Sequence, residues 1–424
     1  MIDSAPLRAR LFAALRSPLL PLWAILALLP FARSAEAGVL ACIVGAAFVL
    51  LRDRTALLAT PAARLALTLW ACYVLAAAFS LTMAIAPERS TLVVLGLLRY
   101  GPLMLYAAWA LRGAGRARAL MTAIAVLVAL WTADAWIQAL TGWSLRGAPE
   151  PHRLTGIFGA GDPKLGQVLA VLAPFVFETV RRRFGRRGLG LAFLFLLGPV
   201  LLAGSRAAWV TYAVVTLAFL WRETASPRRF LLGSAALGVI AVSGMGVAWQ
   251  TSQRFDARMD RTLLALSGSE QGLNAALSYR LSLWGTTLRM IAAHPLTGVG
   301  VRGFRYAYPA YARPGDPFVR PGSDEGAFHA HQIVLEVLSE TGAVGLALWL
   351  AGLVAAVRAW WRAGAAARAR AGPATVALGA AVFPLNTTLA FYSAWWGLLF
   401  FWLLAVWAGA LLAPPGKAED AHGA

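Results

Sequence analysis

The sequence predicts an all-α polytopic membrane protein of about twelve transmembrane helices, with one large helical loop between the ninth and tenth. Three observations carry this. Of 424 residues, 59% are hydrophobic and 13% charged, against about 45–50% and about 25% in soluble domains. The apolar residues gather into runs of roughly 15–25 that recur from Ser17 to Ala413, and a hydrocarbon core of about 30 Å takes about 20 residues of helix. The runs do not alternate polar with apolar, so a β-barrel is excluded, as are a soluble enzyme and a disordered chain.

Apolar runs between charged or Pro/Gly-rich breaks fall at 18–34, 37–51, 62–85, 91–111, 119–140, 164–180, 189–203, 206–221, 229–249, 331–357, 373–392 and 395–413. The chain thus divides into nine helices over 1–249, a loop domain over 250–330, three helices over 331–413 and a tail over 414–424. Ala35-Glu36-Ala37 mimics a signal cleavage site after the first run, but eleven further spans favour a retained helix. The net charge is +19, and Lys164 and Lys417 are the only lysines. With the N-terminus in the cytoplasm, that side receives 22 basic residues, including Arg8, Arg10, Arg181 to Arg183 and Lys417. The opposite short loops hold six: Arg33, Arg89, Arg146, Arg153, Lys164 and Arg206. The positive-inside rule then puts both termini in the cytoplasm. Most of the charge is topological, so no nucleic-acid partner is expected. Cys42 and Cys72 lie in apolar runs, which removes a disulfide framework.

Residues 250–330 form the long outer loop, with nine arginines from Arg254, Arg258 and Arg261 to Arg320. Long loops escape the charge rule. A solvated face accounts for most of these arginines, and an anionic substrate would account for the others. Leu277, Leu281, Trp284, Leu288 and Ile291 repeat at helical spacing, which predicts an amphipathic helix ended by His294-Pro295. Arg280 sits on the rim of that stripe. Asp316, Asp324 and Glu325, among Pro314, Pro317 and Pro321, mark an irregular segment leading back to the membrane.

Gly298-Val299-Gly300-Val301-Arg302-Gly303 matches the dinucleotide fingerprint, but no βαβ unit surrounds it. These glycines make a tight turn or admit a close backbone approach. His329-Ala330-His331 opens the tenth span, with Glu336 and Glu340 following. Histidines two apart on a helix do not share a face, and no D-x-D or H-E-x-x-H occurs, so a metal-free mechanism is favoured. His152, His294, His329 and His331 all fall on the outer side. His331, at the loop–helix junction, can titrate near neutrality and act as a general base, or it can merely cap or pack. Arg206, after Gly204-Ser205 at an outer turn, can snorkel to the interface or face a polar cavity. Arg99 and Asp134, deep in the fourth and fifth spans, are expected to form a buried ion pair.

These pieces together resemble the O-antigen ligase family of Gram-negative bacteria, within the wider ligase/polymerase superfamily. The matching residues are Ala203-Gly204-Ser205-Arg206, Tyr279-Arg280 with Trp284, and His294-Pro295-Leu296-Thr297-Gly298-Val299-Gly300. The last match is His329-Ala330-His331-Gln332 with Leu335-Glu336, Glu340-Thr341-Gly342 and Gly345. Two departures stand out. Gln332 replaces the asparagine common after the second histidine, and Arg302 takes the place of a third glycine in the turn.

The resemblance implies a GT-C-like glycosyltransferase of the bacterial inner membrane with a periplasmic active site. It would move an O-antigen glycan from undecaprenyl pyrophosphate to the outer-core sugar of lipid A-core, inverting the anomeric centre and using no cofactor. Arg206 and Arg280 would hold the pyrophosphate, and His331 would take the proton of the acceptor hydroxyl. Arg302, His329, Tyr279 and Trp284 would contact substrate. Arginine forks match phosphate oxygens without a metal. The rivals are an O-antigen polymerase or a protein-glycan ligase using the same donor. A transporter is a further class, but it would show internal repeats or broken helices at mid-membrane, and no convincing repeat is seen.

Overall fold

In hydrocarbon every backbone N–H and C=O needs a partner within its own segment or inside the protein, so long apolar runs fold as helices. The computed structural model describes residues 16–414, except 149, 151, 152, 225, 252–258, 261, 321, 388 and 389. Arg8, Arg10, His152, Arg254, Arg258, Arg261 and the tail from 415, with Lys417, lie outside the described residues.

The helices are α1 Leu20–Ala27, α2 Ala35–Arg52, α3 Arg54–Leu58, α4 Pro61–Phe79, α5 Pro87–Leu97, α6 Tyr100–Ala110, α7 Ala114–Thr141, α8 Leu165–Leu202, α9 Arg206–Glu223 and α10 Pro227–Thr251. The long loop contributes α11 Glu270–Ala276, α12 Arg280–Ala293 and α13 Phe304–Tyr311, and the helices after it are α14 Ile333–Arg362, α15 Ala365–Val382 and α16 Ala394–Leu411. No strand occurs among the described residues. The protein is an all-α polytopic membrane protein.

Eight helical stretches among the described residues are long and apolar enough to cross a membrane, fewer than the twelve runs. Two runs share α8, which Gly185 (φ 65°, ψ −157°) folds into two arms. Gly166, near the start of α8, lies against Ala203 and Ala208 beyond its end, so the arms run back to back. Three other runs hold α1, with eight residues, α9, with Arg206, Arg222 and Glu223, and α15, with Arg368 and Arg370. The eleventh run does not stay helical to 392: α15 stops at Val382, one residue before Phe383-Pro384. The next stretch is irregular yet buried at Asn386, Thr387, Phe391 and Tyr392. Asn386 Nδ2 donates to the Ala380 and Ala381 carbonyls, and the Tyr73 hydroxyl donates to Phe391 O at 2.5 Å. Non-helical backbone at this depth survives because protein surrounds it.

Helix α16 is apolar on every side and buried along nearly its whole length, with the Trp402 indole donating to Leu22 O at 2.8 Å. It is the axis on which α1, α4, α6 and α15 pack. Outside the bundle, Leu283, Met290, Phe304, Tyr308 and Ala330 make a second, smaller core. Asp316 accepts from the hydroxyls of Tyr308 (3.0 Å) and Thr286 (3.4 Å), which gives the proline-rich segment a fixed anchor.

Two expectations are corrected. Arg99 pairs with Glu36 at 3.0 Å rather than with Asp134, whose carboxylate accepts from Leu145 N at 3.0 Å and holds the turn after α7. The buried face of α12 is Leu283, Thr286, Thr287 and Met290, while Leu277 and Leu288 are exposed. Two buried threonines are bonded to Asp316 and to Leu283 O, so the apolar stripe misplaced the face by one residue.

The long loop joins the bundle through backbone. Val299 N and Gly300 N donate to Ser339 O and Glu340 O, and Ala343 N and Val344 N donate to Pro295 O and Leu296 O, all at 2.8–3.1 Å. Helix α14 breaks at Gly342 (φ 64°, ψ −165°) to admit this seam. A Cβ on Gly342 would collide with the Leu296 carbonyl, and one on Gly298 with the Glu340 backbone. Gly342→Ala should therefore cost at least about 1–3 kcal/mol from backbone strain alone, whereas Gly379→Ala, facing open space in α15, should be neutral. Thermal midpoints in detergent check this, and equal midpoints would contradict it.

Candidate functional site

The site grows from left-handed backbone. Among the described residues, five non-glycines have positive φ, and four of them lie here: Ser278 (56°), Tyr279 (60°), Arg302 (60°) and His331 (53°). Each such residue costs of order 1–3 kcal/mol and persists only where its surroundings impose it, as at binding sites. Arg302 adopts the conformation that a third glycine would supply, so the turn is kept and a charge is added.

Arg206 opens α9 directly after Gly204-Ser205. Its guanidinium reaches across to the loop, donating to Ser278 Oγ (2.8 Å), Thr262 Oγ1 (3.3 Å) and the Ala276 carbonyl. It therefore ties the loop to the bundle immediately before Tyr279 and Arg280. Arg280 begins α12 and is half-buried. Burial and the Arg206 charge pull its guanidinium down to about 10, so it remains charged at neutral pH. It also stands at the N-terminus of a fourteen-residue helix, whose dipole favours anions. Tyr279 beside it is exposed.

The histidine turn faces this arginine. His331 Nδ1 lies 2.7 Å from Thr387 O. A carbonyl only accepts, so Nδ1 carries the proton and Nε2 keeps its lone pair. The ring centroids of His329 and His331 are 3.9 Å apart, and the backbone N–H of His331 donates to His329 Nδ1 at 3.3 Å. That nitrogen also lies 3.3 Å from Glu336 Oε2. The Trp284 indole donates to Ala330 O at 3.1 Å, so it fixes the turn between the two histidines. Gln332 caps α14, accepting from Leu335 N at 2.6 Å, a task an asparagine amide would also perform.

Electrostatics links the groups. Both imidazoles are pushed down to about 3: His329 by burial and then Arg302, Arg280 and Arg305, and His331 by burial and then His329 and Arg280. The expected titration of His331 near neutrality is thus displaced downward. Arg302 N donates to the buried Glu340 at 2.9 Å. Arg305 packs over Phe328 at 4.5 Å and pairs with Glu325 at 3.6 Å. The charges of Arg206, Arg280 and Arg302 and the two histidines are therefore felt within one locale. Among the described residues no group of three or more His, Cys, Asp or Glu is arranged to hold a metal ion. The arrangement can bind a multiply charged anion and accept a proton at His331 Nε2.

Residues 168–350 match the family model described as O-antigen ligase. The match covers less than half of the chain and supports membership of the O-antigen ligase family. The segment runs from the first arm of α8 to the middle of α14, so it holds Arg206, Tyr279, Arg280, Trp284, Arg302, His329 and His331 together. Family membership implies a lipid-linked glycan and a lipid acceptor in a membrane. No curated protein matches the chain. Thr387, outside the matched O-antigen ligase segment, was not singled out by sequence. Its signal was the polar Asn386-Thr387-Thr388 after Pro384 in an apolar run. The glycines of the turn approach protein rather than a ligand: Gly298 lies against Glu340 and Gly300 against Ala84.

The two imidazoles give a signed pH effect. Their folded values near 3 lie below the ordinary value of about 6.5, so below that pH the unfolded chain binds protons that the folded one refuses. Stability should be complete above about pH 6.5 and fall as pH drops toward 3, with a slope approaching two protons. His329→Asn/His331→Asn should flatten most of that slope in denaturant titrations between pH 7 and 4.5; an unchanged slope would contradict the assignment.

Proposed function

We propose that the protein transfers an O-antigen glycan from undecaprenyl pyrophosphate to the outer-core sugar of lipid A-core, at the periplasmic face of the bacterial inner membrane, with both termini cytoplasmic. The observation that carries this is the pairing of a half-buried Arg280 at a helix N-terminus with a neutral His331 whose Nε2 lone pair is available. The leaving group of this transfer is a pyrophosphate, so negative charge develops where Arg280 stands, and a preorganised guanidinium stabilises it without reorganisation. Arg206 acts by holding Ser278 and the start of α12, and Arg302 adds a second positive charge. Burial and, among the arginines, Arg280 keep His331 neutral; a bound diphosphate opposes the Arg280 charge, so donor binding raises the proton affinity of His331 when the acceptor hydroxyl must be deprotonated. Attack by that hydroxyl oxygen on the anomeric carbon forms the new glycosidic bond as the C–O bond to pyrophosphate breaks, inverting the centre.

An apolar groove of about 480 Å³ between α4, α14, α15 and α16, lined by Leu69, Tyr73, Trp349 and Phe400 among others, supports a polyprenyl donor. Its residue Tyr73 bonds Phe391 O, in the same irregular segment whose Thr387 O holds His331.

In proteoliposomes with lipid-linked donor and lipid A-core acceptor, Arg280→Ala should lower the transfer rate by about 10²–10³. Arg280→Lys should recover only part, because the fork is lost, and His331→Ala should remove transfer while the protein stays folded. Arg206→Ala should lose activity and also expose the loop to protease, which Arg280→Ala should not. Full transfer by His331→Ala would remove the base assignment, and glycan polymer formed without lipid A-core would replace the ligase reading by a polymerase.

A further inference from the structure

We propose that a cavity at the opposite, arginine-rich end of the bundle binds the phosphate of an anionic phospholipid headgroup. This cavity, of about 520 Å³, opens between the first turns of α7, the foot of the first arm of α8 and the start of α15. It lies at the far end of α15 from Asn386 and Thr387, so it is separate from the histidine site.

Its charge is unbalanced. Arg118, Arg182, Arg183 and Arg370 line it, with Glu178 the one carboxylate. Glu178 is already shared among Arg181 (3.4 Å), Arg182 (2.5 Å) and Arg222. Arg370 is spent on the carbonyls of Ala410 and Ala413, which tie α15 to the end of α16. Arg118 and Arg183 are exposed and form no ion pair among the described residues. Topology alone places arginines at this end, but it requires neither a cleft between three helices nor arginines converging in it.

Two features select a lipid over a soluble phosphate. The wall includes Met121, Ala366 and Ala369, which suit a glycerol backbone and its first methylenes. Phe184, 62% exposed, and Trp361, 72% exposed, lie at this same end of the bundle, and exposed aromatics mark the headgroup level. Arg183 stacks on Phe184 at 5.7 Å, which keeps its charge at that depth. Basic pockets between membrane helices on the cytoplasmic side are suited to anionic headgroups; the cytoplasmic label rests on the orientation proposed above, whereas lipid binding does not.

The test is native mass spectrometry of the full chain released from mixed phosphatidylglycerol/phosphatidylcholine nanodiscs. The wild type should retain phosphatidylglycerol about tenfold over phosphatidylcholine, and Arg118→Gln/Arg183→Gln should lose that preference. Arg54→Gln/Arg358→Gln, with the same net charge but outside the cavity, should keep it. As a measurement needing no variant, phosphatidylglycerol should raise the wild-type thermal midpoint where phosphatidylcholine does not. Equal retention by the cavity variant, equal loss in the control pair, or displacement of the lipid by soluble glycerol phosphate would each overturn the proposal. Any of these could occur with glycan transfer intact, so its failure is separable from that of the proposed function.

Discussion

Four backbone hydrogen bonds between residues 295–300 and 339–344 hold the long loop to the break in α14. The candidate site is hung from that seam. It can form only because Gly298 and Gly342 lack side chains where the two backbones meet. Immediately past it, Arg302 takes a left-handed conformation and donates its N–H to Glu340. On the other strand of the seam, α14 leads back one helical segment to the histidine turn. A break in a membrane helix leaves orphan carbonyls and amides that hydrocarbon cannot satisfy, and here loop backbone satisfies them.

The seam sets the loop at one edge, and Arg206 fixes it at the other by bonds to Ser278, Thr262 and Ala276. Between these anchors the chain stores strain at Ser278, Tyr279, Arg302 and His331. Such strain is sustained because the surrounding contacts over-determine it, and it aims cations and one imidazole at common ground. Burial first, and nearby arginines after it, drive protons from both histidines. An anionic ligand beside these arginines would offset their share of that effect.

Much of this was legible in the sequence. Apolar runs gave away the helices, and the resemblance to the O-antigen ligase family singled out Arg206, Arg280 and His331 as candidates. What stayed hidden has physical causes. The break at Gly342 looks like uninterrupted helix because it depends on one glycine's φ. The partner of Arg99 is distant in sequence and set by packing, so Glu36 could not be distinguished from Asp134. On α12, hydrogen bonds bury Thr286 and Thr287 in preference to Leu288, which hydrophobic periodicity cannot foresee. The Thr387 carbonyl that sets the His331 tautomer is backbone, and no residue type announces it.

The central claim is that Arg280 and its neighbours grip a lipid pyrophosphate. Equilibrium binding of undecaprenyl pyrophosphate to the purified protein in detergent measures this without any acceptor or chemistry. Affinity should fall about tenfold or more in Arg280→Ala, and it should weaken with added salt for the wild type. An affinity that is the same in both proteins would contradict the account.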